Sequence, residues 1–541
     1  MIGGLGRLGR YSLASASVVG LLATGVPGAK AQDLKTIQSQ IDSLKATIKE
    51  LQKQVQDAKA QAAAANATAE NAAKNDLDLK VAWKGAPQFS SGDGKKFTFK
   101  VRGRLEADYN HADQDTAITS FPDVSATELR RARIGVEGVV FYDLKYVLEV
   151  DFANDETRVK DAYLQYQGVK IGDEPLLFRV GNFKTPNTFE DETSDRFVPT
   201  MERAAFINAW EIDRQIGFMT AYWADHFGGA VGIFGENPTS APLFSGFIGD
   251  ENTTFAARGK IDPVNRQVSG VTQVLHLGAS VRTRDVGDDQ PFLQYRARGA
   301  DLHMTNFAVN SGRISDGDTF WGLEAAGLWG PFSLQGEYAR LEVDLPSGTS
   351  IRSTGSTSTP SGPNPFLGVP DPEYTGWYIE GTWFFGGHKT YTKEATWGRP
   401  VIDHPMRWNE SSGWGALELV GKYDVLDQSD TGNNVFTSNS VGTFVGACAT
   451  TQLWPGTSST NGQPSAAKIA QCGEMKTWIV GVNWYLNDYT RLMFNYAQSD
   501  LSGYPITPIS SKTLQFAAGT NVAGFDGATI RGFGMRAQVD W

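Results

Sequence analysis

Cysteine is nearly absent from this chain: Cys448 and Cys472 are the only two in 541 residues. Disulfide stapling therefore cannot hold the fold, and a small cystine-rich scaffold is excluded. Long apolar runs are missing as well. Beyond the first thirty residues, no stretch approaches the roughly twenty consecutive apolar residues that a spanning helix needs, which excludes a helical membrane protein. Histidine is sparse, at six residues, with no HExxH pair, and no GxSxG elbow is present. The metal and nucleophile templates of hydrolases both fail, so neither catalysis nor a metal or other cofactor is expected. Positive charge is not in excess either. A net charge of -11 argues against nucleic acid as a partner.

What the chain does have is glycine (59 residues), 11% aromatics and 40% hydrophobic residues, with a mean hydropathy of -0.31. That polarity suits a transmembrane barrel, in which only every second strand residue touches lipid and the others line water. Closure of the barrel also removes the sheet edges that would otherwise need covering.

The N-terminus reads as an export signal. Arg7 and Arg10 precede the apolar run Tyr11 to Val26, and Ala29-Lys30-Ala31 forms a small-x-small cleavage site, so residues 1–31 are expected to be removed. Gly20, Gly25 and Pro27 break that run, against its use as a helical anchor. Next, Leu34, Ile37, Ile41, Leu44, Ile48, Leu51, Val55 and Ala58 recur in alternating steps of three and four. This is a heptad seam and predicts an α-helical coiled coil over residues 32–59, with a lone amphipathic helix as the alternative. An Ala-rich spacer follows over residues 60–80, helical or flexible.

Residues 81–541 alternate with period two. Phe97, Phe99, Val101, Leu105, Ala107 and Tyr109 share one face of a strand, and Thr98, Lys100, Arg102, Arg104, Glu106 and Asp108 share the other. The pattern recurs from Leu144 to Phe152 and from Thr477 to Tyr485. Strands of this kind span a membrane when tilted at about ten residues each. Tight turns such as Asn487-Asp488 alternate with long polar stretches near 237–254, 343–373, 426–475 and 499–526. That asymmetry distinguishes the periplasmic from the extracellular end of an outer-membrane barrel. Cys448 and Cys472 share one of these long loops. In an oxidising compartment they are expected to bridge, restricting it by roughly 3 kcal/mol in the chain-entropy model. The chain ends on an amphipathic strand closing at Trp541, which resembles the signal read by the outer-membrane assembly machinery, an expected partner alongside outer-membrane lipid.

Several strings resemble the phosphate-selective porin O and P family: Arg130 to Gly138, Val159 to Tyr166, Val180-Gly181-Asn182-Phe183-Lys184-Thr185-Pro186, Glu202-Arg203, Arg214 to Gly217, and Trp329 to Tyr338. The resemblance covers nearly all of residues 97–541. It implies an all-β transmembrane antiparallel barrel of about sixteen strands, a homotrimer, and a loop folded into the lumen as a constriction. The function it implies is passive diffusion of small hydrophilic solutes and ions with at most a modest anion preference. A phosphate- or polyphosphate-selective channel and an envelope-tethering barrel are the alternatives.

Selectivity would be set on the inward face, where guanidinium forks suit oxyanions. The inward cations expected from alternation are Lys100, Arg102, Arg104, Arg131, Arg133, Arg282, Arg284, Arg296 and Arg298. Their alternative role is to pair with wall carboxylates such as Glu106, Glu137, Glu149 and Asp151. The segment after Glu190 carries Asp191, Glu192 and Asp195 with only Arg196 basic. These carboxylates are expected in the constriction loop, where they would oppose anions.

Overall fold

The computed structural model describes residues 31–74, 79–83, 85–114, 123–210, 212–235, 237, 252–286, 293–347, 350–351, 362–363, 370–407, 413–429, 473–502 and 527–541. The segment expected to be an export signal up to Lys30, and both Cys448 and Cys472, lie outside the described residues. The chain divides into two compact units, residues 1–77 and 78–541.

The described residues of the first unit form one helix, α1 (Ala31–Lys74). It runs unbroken through the alanine-rich stretch, where alanine supplies the highest intrinsic helix propensity. The seam residues Ile41, Leu44, Ile48, Leu51 and Val55 are all exposed.

The second unit is built on an eighteen-stranded antiparallel sheet. A short hairpin, Lys80–Trp83 with Pro87–Ser90, pairs with Thr98–Lys100 at the start of the first wall strand. The remaining sixteen strands form the wall: β1 (Phe97–Gln114), β2 (Val124–Val140), β3 (Leu144–Asp151), β4 (Arg158–Ile171), β5 (Glu174–Lys184), β6 (Arg214–Trp223), β7 (Phe227–Phe234) and β8 (Thr253–Val268). They continue with β9 (Val271–Asp285), β10 (Gly317–Trp329), β11 (Phe332–Asp344), β12 (Glu373–Phe385), β13 (Ala416–Asp427), β14 (Glu474–Asn487), β15 (Thr490–Ser502) and β16 (Thr529–Asp540). Each pairs with its neighbour in sequence, and β16 returns to β1 in a register from Ile530↔Gln114 to Asp540↔Arg104. Closure leaves the wall with no free edge, as a lipid-embedded sheet requires.

The two faces follow the alternation of the sequence. On β10–β15 the residues Leu323, Leu334, Ile379, Leu419, Val480 and Phe494 are exposed outward. Aromatic rings bracket this apolar band, with Tyr338, Trp377 and Tyr423 towards one end and Trp329, Phe332 and Trp383 towards the other. Rings at these heights match the interface girdles of a membrane barrel. Inward, Glu324, Glu337, Glu380, Glu418, Lys422 and Arg536 are buried.

Tight turns join strands at one end. The β8–β9 connection is Ser269 (φ 52°) and Gly270 (φ 79°), a left-handed pair that matches the twist of a two-residue hairpin. Long loops occupy the other end. The connection between β12 and β13 departs from this rule: it starts and ends at the turn end, and its described residues carry a second hairpin, Gly387–Tyr391 with Trp397–Ile402. A third hairpin, Leu293–Arg298 with Phe307–Ser315, sits between β9 and β10. Arg296 and Arg298 are therefore not wall residues, as strict alternation along the barrel had suggested, but belong to this insertion.

Candidate functional site

The lumen is occupied by three insertions that pack on one another. Residues 185–213, between β5 and β6, include two short helices, α2 (Phe189–Glu192) and α3 (Ala205–Trp210). Phe189, Met201, Ala204, Ala205, Phe206, Ile207 and Trp210 are buried, which is why this loop leaves water for the barrel interior. Phe206 lies against Tyr378 of β12, and Trp210 meets Phe320 of β10 edge-on, at centroid distances of 6.3 and 6.4 Å.

Polar groups then fix the loop in register. Glu190 accepts from Lys422 at 2.6 Å and from the backbone of Ala204 at 3.0 Å. Asn495 accepts from the Met201 amide at 2.7 Å, Asn483 donates to the Pro199 carbonyl at 2.7 Å, and Arg491 donates to the Val198 carbonyl at 2.8 Å. Arg536 bridges the Met201 carbonyl (2.6 Å), Asp108 and Glu202. The loop is thus stitched to β13, β14, β15 and β16, opposite the strands it emerges from.

The loop-end hairpin covers the same side. Tyr295 donates to Asp318 at 2.9 Å, and the Ala300 amide donates to Ser499 at 2.8 Å. Leu302 and Met201 rest on Gly532 and Gly534 of β16, where a Cβ would come within 2.5 Å of Leu302 and 2.6 Å of Met201. Glycine at these positions is what admits the two insertions.

The turn-end hairpin reaches up from below. Trp397 is buried against Phe189, Tyr391 donates to Asp262 at 2.9 Å, and Lys389 pairs with Glu418 at 3.0 Å. Arg258 of β8 donates to the Ala395 carbonyl at 2.8 Å. At its tip, Lys393 pairs with Glu174 of β5 and with Asp225 in the β6–β7 turn.

Space remains along the wall of β1–β6, as two cavities that share Arg133. The larger, about 540 Å³, opens beside Arg130, Arg158, Lys160, Arg296 and Arg298. The smaller, about 230 Å³, is bordered by Arg102, Arg104, Arg179, Lys184, Arg196 and Arg214. Glu192 and Asp195 line it from the loop. Cations outnumber carboxylates on both linings, so the path is electropositive despite the negative net charge.

The structure sorts the residues expected from sequence. Arg102 pairs with Glu149 (2.9 Å) and Glu137 (3.1 Å), and Arg133 with Asp151 (2.7 Å) and Glu149 (3.4 Å). Arg104 and Arg131 share Glu106 and Asp195. Lys100 lies opposite Glu137 on β2. Arg282 is fully buried, 3.9 Å from Asp318 and 4.9 Å from the Phe320 ring, and Arg284 is bound to the same Asp318. Neither borders the two cavities. Arg296 and Arg298 both lie over the ring of Phe307, at 4.1 and 4.2 Å, and face the larger cavity. Arg196 faces the smaller one and pairs with Asp540 at 3.5 Å.

The three carboxylates of the loop have different surroundings. Asp191 is buried behind the loop on Lys184 (2.8 Å) and Asn187 (3.0 Å). Asp195 is enclosed by Arg131, Arg104 and Arg203. Burial pushes its carboxyl up, but these guanidiniums outweigh it and hold it well below the usual carboxylate range. Glu192 differs. It lines the smaller cavity, its Oε1 has no hydrogen-bond partner among the described residues, and burial pushes it up to about 7 against the pull of Lys184.

Alternation along the strands did not reveal Arg130. The β1–β2 register shifts between Glu106↔Arg131 and Ala107↔Leu129, so Arg130 is the extra residue of a β-bulge. The bulge turns it inward with Arg131, where it makes a two-pronged contact with Glu202 at 2.9 and 3.0 Å. Arg179, Lys184 and Arg214, on β5 and β6, were not among the inward cations expected from sequence either.

A closed, lipid-facing barrel with a loop-narrowed, charged interior is the architecture of an outer-membrane channel. Residues 99–505 match the family described as phosphate-selective porin O and P, and the chain belongs to it. It is 27% identical over 326 residues to Porin O of Pseudomonas aeruginosa, covering 56% of this chain and 72% of that one. Over 459 residues it is 26% identical to an uncharacterized protein of Caulobacter vibrioides, covering 82% of this chain and 76% of that one. Among solved structures, the anion-selective porin from Comamonas acidovorans aligns with a TM-score of 0.45 at 12% identity, covering 82% of this chain and 100% of that chain.

Proposed function

We propose that this porin passes small hydrophilic solutes with a modest preference for anions and without a tight phosphate site. The observation that carries the reading is the basic lining of both cavities from Arg296 and Arg298 down to Arg179 and Arg214. Most of these cations already hold a carboxylate, which leaves a weak net field rather than a stripped anion trap. The alternating faces, the girdles and the turn asymmetry support a membrane orientation with the turn end towards the periplasm.

The assembly is a homotrimer exported through a cleaved leader at residues 1–31. The seam at Ile41, Leu44, Ile48, Leu51 and Val55, exposed by 40% to 61% in the single chain, is the contact face of a periplasmic coiled coil over residues 32–59. Residues 60–80 serve as a spacer to the barrel at 81–541. Reversal potential across a salt gradient, with purified protein in a planar bilayer and phosphate as competitor, tests the channel reading. A modest anion preference with no block at micromolar phosphate is expected. Strong cation preference would overturn it.

A further inference from the structure

We propose that Glu192 is the specificity-determining residue of the narrow path: a carboxyl whose gain or loss of a proton sets how strongly the pore prefers anions over cations. This rests on the permeation path described above. The geometry separates Glu192 from the other acids of its loop. Asp191 is turned away onto Lys184 and Asn187, and Asp195 is locked among arginines, so neither changes charge without breaking a buried pair. Glu192 borders the smaller cavity and makes no ion pair among the described residues.

The groups that face it come from several elements. Arg179 and Lys184 stand on β5, Arg258 on β8, and Asp191 beside it in the loop. Around the rest of the cavity, β1 contributes Arg102 and Arg104, β2 Arg133, β3 Glu149, β4 Asp161 and Tyr163, and β6 Arg214. The loop adds Asp195, Arg196 and Arg203. Apart from Lys184, which pairs with Asp191, and the Tyr163 phenol, these partners are guanidiniums or carboxylates already held in ion pairs with Lys184, Arg102, Arg214, Arg104 and Arg131. Glu192 is therefore the cavity charge most open to change. Enclosure without a partner favours its neutral form, and its position near 7 places the change between mildly acid and mildly alkaline conditions. Neutral Glu192 leaves the arginine field unopposed, whereas ionised Glu192 cancels part of it at the narrow point.

The test measures reversal potential under a potassium chloride gradient at about pH 5 and about pH 8.5, with the full-length protein and the variants E192Q and E192D. At the separations of such a cavity one unit charge changes the anion-to-cation permeability ratio by about twofold. The wild-type ratio is expected to fall by that factor on going to the higher pH. E192Q should hold the acid value at both, and E192D should retain a pH dependence. Heat-modifiable migration of E192Q shows that the barrel is intact. A wild-type ratio that does not move with pH, or an E192Q pore that keeps the wild-type dependence, overturns the assignment. A pore that prefers cations even at about pH 5, yet responds to pH through Glu192, would instead defeat the anion-preferring reading and leave this one standing.

Discussion

Phe189 on the constriction loop and Trp397 on the turn-end hairpin meet edge to face, their ring centroids 5.1 Å apart and their planes at 83°. The contact joins two insertions that enter the barrel from opposite ends. Around it, the Trp397 amide donates to Thr193 at 3.2 Å, and the Trp397 indole donates to Gln335 of β11. The path along β1–β6 is narrow because the loop cannot retreat towards the turn end while this hairpin supports it.

Removing that support should widen the pore. Trp397→Ala deletes a fully buried aromatic side chain, a change that costs about 3 to 5 kcal/mol in a packed core. The cost falls on the insertions and not on the wall, whose ladder is untouched. Single-channel conductance is expected to rise and become noisier, with heat-modifiable migration preserved. A conductance equal to wild type would show that the loop is held by its own contacts with β13–β16.

Asp195 is expected to behave as a structural group. Asp195→Asn leaves Arg104, Arg131 and Arg203 short of a buried counter-charge, and breaking such a pair costs on the order of 3 to 5 kcal/mol. The variant should lose its heat-modifiable gel migration at a lower temperature and show erratic conductance. A clean shift of reversal potential towards anions, without lost stability, would mean that the carboxylate faces the solute.

The barrel was legible because lipid imposes a strict two-residue period, and that period survives in strands such as β1, β14 and β16. The fold's interior was less so. A bulge at Arg130 shifts the period by one residue, and no residue type marks it. The β8 bulge did leave a sign, since Pro263, which cannot donate to a ladder, sits where the register skips between Ile261 and Val264. The hairpin of Leu293–Arg298 alternates like a wall strand, so Arg296 and Arg298 looked like wall residues. Which arginines pair with which carboxylates depends on strands far apart in sequence, as with Arg536 and Asp108, and only the closed register brings them together.

Arg296 and Arg298 offer a test of the larger cavity. They stand on an insertion, so replacing both with Gln leaves the wall network of Arg102, Arg104, Arg131 and Arg133 in place. The double variant should lose anion preference at low ionic strength and approach wild type in concentrated salt, because screening over about 8 Å at physiological salt confines their influence to the mouth. Reversal potentials at two salt concentrations would show it. An equal loss at both concentrations would place the two arginines at the narrow point instead.

Acid should change selectivity before it changes structure. Burial raises the carboxyls of Asp195 and Glu202, but Arg131, Arg203 and Arg104 around the first, and Arg130 and Arg536 around the second, hold both well below the usual carboxylate range. A carboxyl depressed on folding contributes its full stability above its unfolded pKa and loses it progressively as pH falls from there to the folded value, while in the folded protein the group itself stays ionised down to that lower value. The pairs that dock the constriction loop should therefore survive below the ordinary carboxylate range of about pH 4. Glu192, raised to about 7, takes up its proton much earlier on the same descent. Single-channel recordings at stepwise lower pH should show reversal potential moving near neutrality while conductance stays level to about pH 4. A conductance jump that coincides with the change in selectivity would mean that protonation releases the loop, and that the arginine pairs of Asp195 and Glu202 are not what keeps it in the lumen.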